Sequence, residues 1–284
     1  MHRTILKTTA WFARQLPASW KTSIYRIKPL ANGIRFILNR SSPDGLTRMC
    51  VAGGDLKDTK LYLNLQTEKD YWLGTYEPEL QKAIRHWVQP GMVVYDVGAN
   101  IGYISLLMAK AVGSQGKVYS FEALPINIER LKQNILSSNT EVPITVVHAA
   151  VTNKDEPVEF LVHESTSMGK VAGAAGREVA YETCITVDGI TLDTYQSENN
   201  IPAPDIIKMD IEGGEVLAVD GMRRLLQEHH PILFIELHGP ESARAVAKVL
   251  DDYGYTAYHM KAHHKVINLH HPEHWKAYII AQIS

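Results

Sequence analysis

The sequence predicts an α/β protein, with helices around a mainly parallel sheet and a small β-rich region before it. Three observations carry this expectation. After Pro90-Gly91, apolar runs of strand length alternate with segments of helical periodicity. A glycine turn, Gly98 to Gly102, joins one such strand to a helix. Polar and acidic residues recur at the carboxyl ends of the apolar strands, the edge where open α/β sheets hold ligands. The 284 residues, 45% hydrophobic and 21% charged, suffice for one large domain or two small ones with a real core. They exclude a disordered chain, a collagen-like repeat and a disulfide-stapled mini-protein.

Along the chain, residues 3–16 read as an amphipathic helix. Arg3, Lys7 and Arg14 share one side, Ile5, Leu6, Phe12 and Leu16 lie roughly opposite, and Trp11 falls on the basic side. Pro17 ends it. Gly33–Leu38 and Leu61–Leu65 are short apolar runs, with turns at Ser42-Pro43-Asp44-Gly45 and Gly53-Gly54, so residues 1–76 form a basic helix and a β-rich region. Residues 77–284 form the main domain. Glu77-Pro78-Glu79 starts a helix to about Val88, with proline in its first turn. Met92–Val97 is a buried strand, Ile101–Ala111 a helix, Lys117–Phe121 a strand, Pro125–Leu136 a helix and Ile144–Ala150 a third strand. Val158–Val162 and Glu182–Val187 are extra strands of an insertion, separated by a Gly169–Gly176 loop. Asp205–Ile211 is the fourth core strand, with a helix from about Glu215 to Glu228. Ile232–Glu236 is the fifth, and Pro240–Tyr253 is a helix. Thr256–Met260 and Ala277–Ile283 close the sheet.

The formal net charge of −2 hides a split. Residues 1–43 carry eight Lys or Arg and no Asp or Glu, so the remainder carries −10. The basic segment suits an anionic membrane surface or an acidic partner, with residues 1–20 as the peripheral membrane contact; the alternative is a helix packed on the main domain or a disordered tail. No apolar run approaches the ~20 residues that span a bilayer. The charged N-terminus lacks the apolar stretch of a secretory signal, so a cytoplasmic, membrane-associated location is expected. Cys50 and Cys184 are lone thiols, which fits a reducing compartment. Nine of the 13 histidines lie between His229 and His274, without metal-ligand spacing. Exposed N-terminal strands offer a route to a homo-oligomer.

The most informative turn is Asp96-Val97-Gly98-Ala99-Asn100-Ile101-Gly102, between a strand and a helix. Glycines let a ligand approach the backbone, and the helix N-terminus offers unpaired N–H groups. The third glycine of a dinucleotide fingerprint is missing, which argues against a nicotinamide cofactor. Asp96 repels a phosphate and suits a cation, an amino group or a sulfonium. Glu122 ends the next strand, 26 residues on, where a carboxylate accepts hydrogen bonds from ribose hydroxyls. The alternative is that it only caps the following helix. In the fourth strand Lys208 and Asp210 share a face, followed by Glu212 and Glu215. Such groups belong at a site rather than in a buried strand. Glu215 has an ordinary reading at a helix start. Glu236 and His238 end the fifth strand.

Asp96–Gly102, Phe121-Glu122, Leu192-Asp193, Lys208–Glu215 and Thr75-Tyr76-Glu77-Pro78 together resemble the FkbM family of methyltransferases, over residues 70–260. The Lys208–Glu215 block is the most specific part. The resemblance implies a Rossmann-like class I methyltransferase, with a seven-stranded, mostly parallel sheet whose last strand is antiparallel. It implies S-adenosylmethionine as donor and usually an O-methyl product. Gly98, Ala99, Asn100 and Gly102 would then surround the methionine part of the donor, with Asp96 near its amino group. Glu122 would take the ribose, and Ala123 with Ala149, Ala150 or Val151 would lie by the adenine. Glu77 joins the donor-binding set. Ala123 departs from the proline the family often has there.

For catalysis the candidates are Asp210, Glu212 and His238 as a base for an acceptor hydroxyl, Asp210 first by its strand-end place. His238 has the better intrinsic pKa. Lys208 would orient a carboxylate or bind an anionic acceptor. Alternatively Asp210, Glu236 and His238 hold a divalent cation, a less favoured reading. The expected function is O-methylation of a sugar, glycolipid or secondary metabolite, with a small-molecule, glycan or lipid-linked acceptor. The other class is a non-catalytic S-adenosylmethionine-binding or scaffold protein. Nucleic-acid methylation is disfavoured, since no N/D-P-P-Y/F/W tetrapeptide occurs.

Overall fold

A computed structural model describes residues 45–163, 169–175, 180–261, 265–271, 273–275 and 278–283. The helix expected over 3–16, the membrane contact through 1–20, the run Gly33–Leu38 and His263-His264 lie outside the described residues. The chain divides into two compact units. The first holds residues to Pro78 together with 133–140, and the second holds 79–132 and 141–284.

In the first unit, β1 (Leu46–Cys50) and β2 (Lys60–Asn64) form an antiparallel hairpin. Leu61 and Leu63 alternate inward along β2 and are fully buried, the strand period at work. A short helix α1 (Lys69–Leu73), not foreseen in the sequence, buries Trp72 and ends at Gly74 in the left-handed region. Within this unit the Tyr62 N–H donates to Asn134 Oδ1 at 2.7 Å, and Arg48 Nε donates to Ser137 Oγ at 3.1 Å. Helix α2 (Pro78–Trp87) follows, as the Glu77-Pro78 signal predicts.

The second unit is built on a seven-stranded sheet. Its strands are β3 (Val93–Val97), β4 (Lys117–Glu122), β5 (Ile144–His148), β10 (Ile206–Met209), β11 (Ile232–Glu236), β12 (Tyr255–His259) and β13 (Tyr278–Ile283). The order is β12-β13-β11-β10-β3-β4-β5, with β13 antiparallel to both its neighbours and the other pairings parallel. This is the predicted fold class, a mostly parallel sheet with an antiparallel last strand. Helices α3 (Tyr103–Val112) and α4 (Pro125–Ser138) follow β3 and β4. Helix α8 (Pro240–Asp252) follows β11 and buries Ala243, Val246, Ala247 and Leu250. They pack with Tyr95, Ile207, Leu233 and Ile279 in one core. Burying each of the Val, Leu and Ile side chains contributes about 1.5–3 kcal/mol.

Several elements differ from expectation for local reasons. The third core strand stops at His148, because β4 ends at its partner Glu122. The chain then turns, and β6 (Ala150–Val151) pairs with β9 (Thr183–Ile190). Together with β7 (Pro157–Val162) and β8 (Lys170–Val171) these make a second sheet, order β6-β9-β7-β8. The Gly169–Gly176 loop thus carries a strand, β8. Helix α5 (Leu192–Glu198) is capped by Thr191, whose Oγ1 accepts from the Thr194 N–H at 3.1 Å. The single helix expected over 215–228 is three pieces, α6 (Glu215–Ala218), a 3-10 turn (Asp220–Met222) and α7 (Arg223–Glu228). Among the described residues no helix is long and apolar enough to cross a membrane. Cys50 and Cys184 are free thiols.

Candidate active site

The glycine turn is fixed from two sides. From β4, the Phe121 carbonyl accepts from the Gly98 and Ala99 N–H groups at 3.0 and 2.9 Å. From β10, Lys208 reaches beneath it. Lys208 and Asp96 are register partners on adjacent parallel strands, so their side chains share a face. The Lys208 ammonium lies 3.1 Å from Asp96 Oδ1 and donates to the Gly98 carbonyl at 2.9 Å. Ser105 Oγ donates to Asp96 Oδ2 at 2.6 Å, and Ser120 Oγ donates to Ser105 at 2.9 Å. Asp96 is fully buried and Lys208 nearly so. The cation that Asp96 meets in the structure is therefore Lys208.

Gly98 has φ +78°, and a Cβ there would fall 2.0 Å from the Asp210 carbonyl oxygen. Gly102 has φ +87°, and its Cβ would strike Leu131 Cδ1 at 2.4 Å. These glycines therefore permit close approach of the protein to itself. Between them Asn100 adopts φ 49°, a conformation asparagine tolerates. Its N–H donates to Glu122 Oε2 at 2.7 Å, while its Oδ1 is buried without a hydrogen-bond partner. Buried acceptors left without a partner are rare in folded proteins. Glu122 Oε1 accepts from the Leu124 N–H at 2.9 Å and from Asn127 Nδ2 at 3.3 Å. Two carboxylate oxygens offer about four acceptor sites, so capacity remains for hydroxyls. Burial raises the Glu122 pKa above the usual carboxylate range. The Leu124 and Asn100 N–H groups, the Asn127 amide and the Lys208 charge offset part of that.

The second cluster stands beyond β10 and β11. Glu215 is fully buried. Its Oε1 accepts from the Ile211 and Gly213 N–H groups at 3.2 and 3.3 Å, and its Oε2 accepts from Ser242 Oγ at 2.8 Å. So held, Oε1 meets His238 Nδ1 at 3.0 Å. This aims His238 Nε2 at Asp210 (3.5 Å), Glu212 (3.7 Å) and Glu236 (3.8 Å). Desolvation acts to lower the His238 pKa. The Glu215 hydrogen bond and the charges of Glu215, Asp210 and Glu212 outweigh it and push the imidazole up to about 9. Glu212 sits at φ 53°, a strained conformation for a non-glycine residue.

Of the expected site residues, Asp96, Gly98, Ala99, Asn100, Gly102, Glu122 and Lys208 come together around the turn. Asp210, Glu212 and His238 come together around the imidazole. Ala123 and Ala150 share a small apolar cluster with Leu124. Val151 instead packs in the main core. Glu77 belongs to the first unit, with φ 42°. Sequence reasoning missed Ser105, Ser120 and Ser242, because a serine carries no pattern signal. It underrated Glu215, whose helix-start position has an ordinary explanation. It also missed Tyr181 in the insertion, whose phenol is raised by burial and then by the Glu212 charge. The Tyr181 ring meets His163 edge-on, 6.3 Å between centroids.

A sheet of this order, with a glycine turn after β3 and an acid ending β4, is the fold of class I S-adenosylmethionine-dependent methyltransferases. The match to the methyltransferase FkbM domain covers residues 96–257, and the chain belongs to that family. It is 25% identical over 162 residues to the hexuronic acid methyltransferase AglP of Haloferax volcanii, covering 56% of this chain and 62% of that protein. It is 24% identical over 128 residues to a protein-L-isoaspartate O-methyltransferase of Methanothermobacter thermautotrophicus, covering 39% and 58%. Each match thus spans less than two thirds of the relative's length. Among solved structures, the methyltransferase FkbM of Methylobacillus flagellatus is similar at 21% identity and TM-score 0.44, covering 77% of this chain and 54% of that one.

Proposed function

We propose that the protein methylates a hydroxyl oxygen of a sugar-bearing acceptor, with S-adenosylmethionine as donor. One observation carries the reading. The glycine turn lies directly against the end of β10, where a Gly98 Cβ would touch the Asp210 carbonyl. The donor cradle and the acidic cluster thus share one wall. Family membership supports the donor, and the similarity to a hexuronic acid methyltransferase supports a saccharide acceptor.

The donor, when bound, supplies a methyl group on a sulfonium leaving group. Glu122 accepts from the ribose hydroxyls, and Gly98, Ala99, Asn100 and Gly102 line the methionine part. Ala123, Leu124 and Ala150 offer an apolar surface to the adenine. Lys208 and Asp96 are positioning residues, because they fix the turn from below. On the acceptor side Asp210 and Glu212 orient the hydroxyl and receive its proton. His238, held by Glu215, keeps those carboxylates in place. Alignment of oxygen, methyl and sulfur supplies much of the acceleration.

The Asp210→Asn variant tests this assignment. It should bind S-adenosylmethionine as the parent does, while turnover falls about 10²–10⁴-fold, the usual worth of a proton-transfer group. Unchanged turnover would remove Asp210 from the chemistry.

A further inference from the structure

We propose that Asp210, Glu236 and His238 form a divalent-cation site at the carboxyl ends of β10 and β11. One ligand atom from each lies within 4.8 Å of the others. The decisive feature is the spacing around His238 Nε2. It stands 3.5 Å from Asp210 and 3.8 Å from Glu236. Both separations exceed the ~3.2 Å limit of a good N–H···O hydrogen bond. Around one shared ion about 2.1–2.2 Å from each ligand, these separations correspond to ligand–ion–ligand angles of roughly 110–125°, open but within reach of a four- or five-coordinate site.

The second observation is the support behind the imidazole. His238 is about nineteen-twentieths buried, at 5% exposure, and is aimed by Glu215 through Nδ1. Glu215 is locked in turn by Ser242 and two backbone N–H groups. A carboxylate behind a ligating histidine fixes its orientation and raises its basicity, the usual outer shell of a metal-bound imidazole. Without the ion, His238 holds these carboxylates by its charge; the ion takes the place of the Nε2 proton, so uptake releases a proton.

Two carboxylate oxygens and one nitrogen at these open angles suit Mn2+ rather than Mg2+, which demands near-octahedral geometry, and they leave positions for water and a hydroxyl. Asp210 and Glu236 are about one-fifth exposed, so the site opens outward while His238 closes it below. The role of the cation rests on the proposed function. Beside the acceptor it would lower the hydroxyl's pKa, and Glu212 would then take the proton. Cation binding itself does not depend on that reading.

The test is a manganese titration of the full chain, stripped with chelator, in which the paramagnetic resonance signal of free Mn2+ reports what remains unbound. The expected result is one Mn2+ per chain. Glu236→Gln should weaken binding at least tenfold, with donor affinity unchanged as proof of folding. Asp210→Asn serves as the second ligand variant. Glu215→Gln should cost about 10–100-fold, as outer-shell changes do. No uptake at about 1 mM Mn2+, the weak end of the range for oxygen-ligand cation sites, would overturn the site. Equal affinity in Glu236→Gln and Asp210→Asn would do the same. Methyl transfer without Mn2+ uptake would sink the cation site and leave the proposed function standing. Uptake without transfer would do the reverse.

Discussion

At Glu122 burial and hydrogen bonding pull the carboxyl in opposite directions, and burial prevails, so its pKa is raised. The group therefore begins to protonate at a higher pH than an ordinary carboxylate. Protonation removes the anionic acceptor from the Asn100 N–H and, in the proposed site, from the donor's ribose. Affinity for S-adenosylmethionine should thus weaken as pH falls through this raised value, above the usual ~4.3 of a glutamate. In Glu122→Gln the affinity should be lower throughout and should lose that pH dependence. Isothermal titration from pH 7.5 downward reads both, and a variant with the parent's acid limb would contradict the role. Asp96, Glu122, Asp210 and His238 were legible in the sequence because charged side chains at buried strand ends need a reason. Glu215 was not, because an acid opening a helix already has one. Only the fold shows that this acid faces inward, onto His238.

At the scale of elements, Asp193 shows how the helices after the insertion are joined. From α5 its carboxylate accepts from the Arg224 and Leu225 N–H groups of α7, at 2.7 and 2.9 Å. Those are orphan donors of a first helical turn, so a distant residue acts as the cap. Asp193→Ala should lower stability by about 1–2 kcal/mol, the range of lost caps, while donor affinity stays unchanged. Urea denaturation beside a donor titration separates the two. A large loss of donor affinity at unchanged stability would instead put Asp193 in the site. The core strands were readable because each is an apolar run closed by a turn signal. Strands β6 and β8 were not, since two-residue strands have no periodicity and take their partners from distant segments. In the break between α6 and α7, a Cβ on Gly221 would meet the Thr152 carbonyl at 2.0 Å, a close approach invisible along the chain.

Across the whole molecule, the net charge divides into a basic segment of residues 1–43 and an acidic remainder. Part of that acidity is the carboxylate group around His238, set against the Gly98–Gly102 turn. The family match covers residues 96–257, so the basic segment stands outside it. The donor side was legible because its geometry follows from one turn and two strand ends. The insertion was less so, because it folds through long-range pairing of β7 with β9. The most direct measurement supplies the full chain with donor labelled in its methyl group and with uronic-acid-bearing saccharides, in the presence of Mn2+. The product is then analysed by carbon NMR. The account predicts label on a saccharide oxygen, lost in Asp210→Asn. Donor binding with no label on any saccharide, or label on nitrogen or carbon instead, would contradict it.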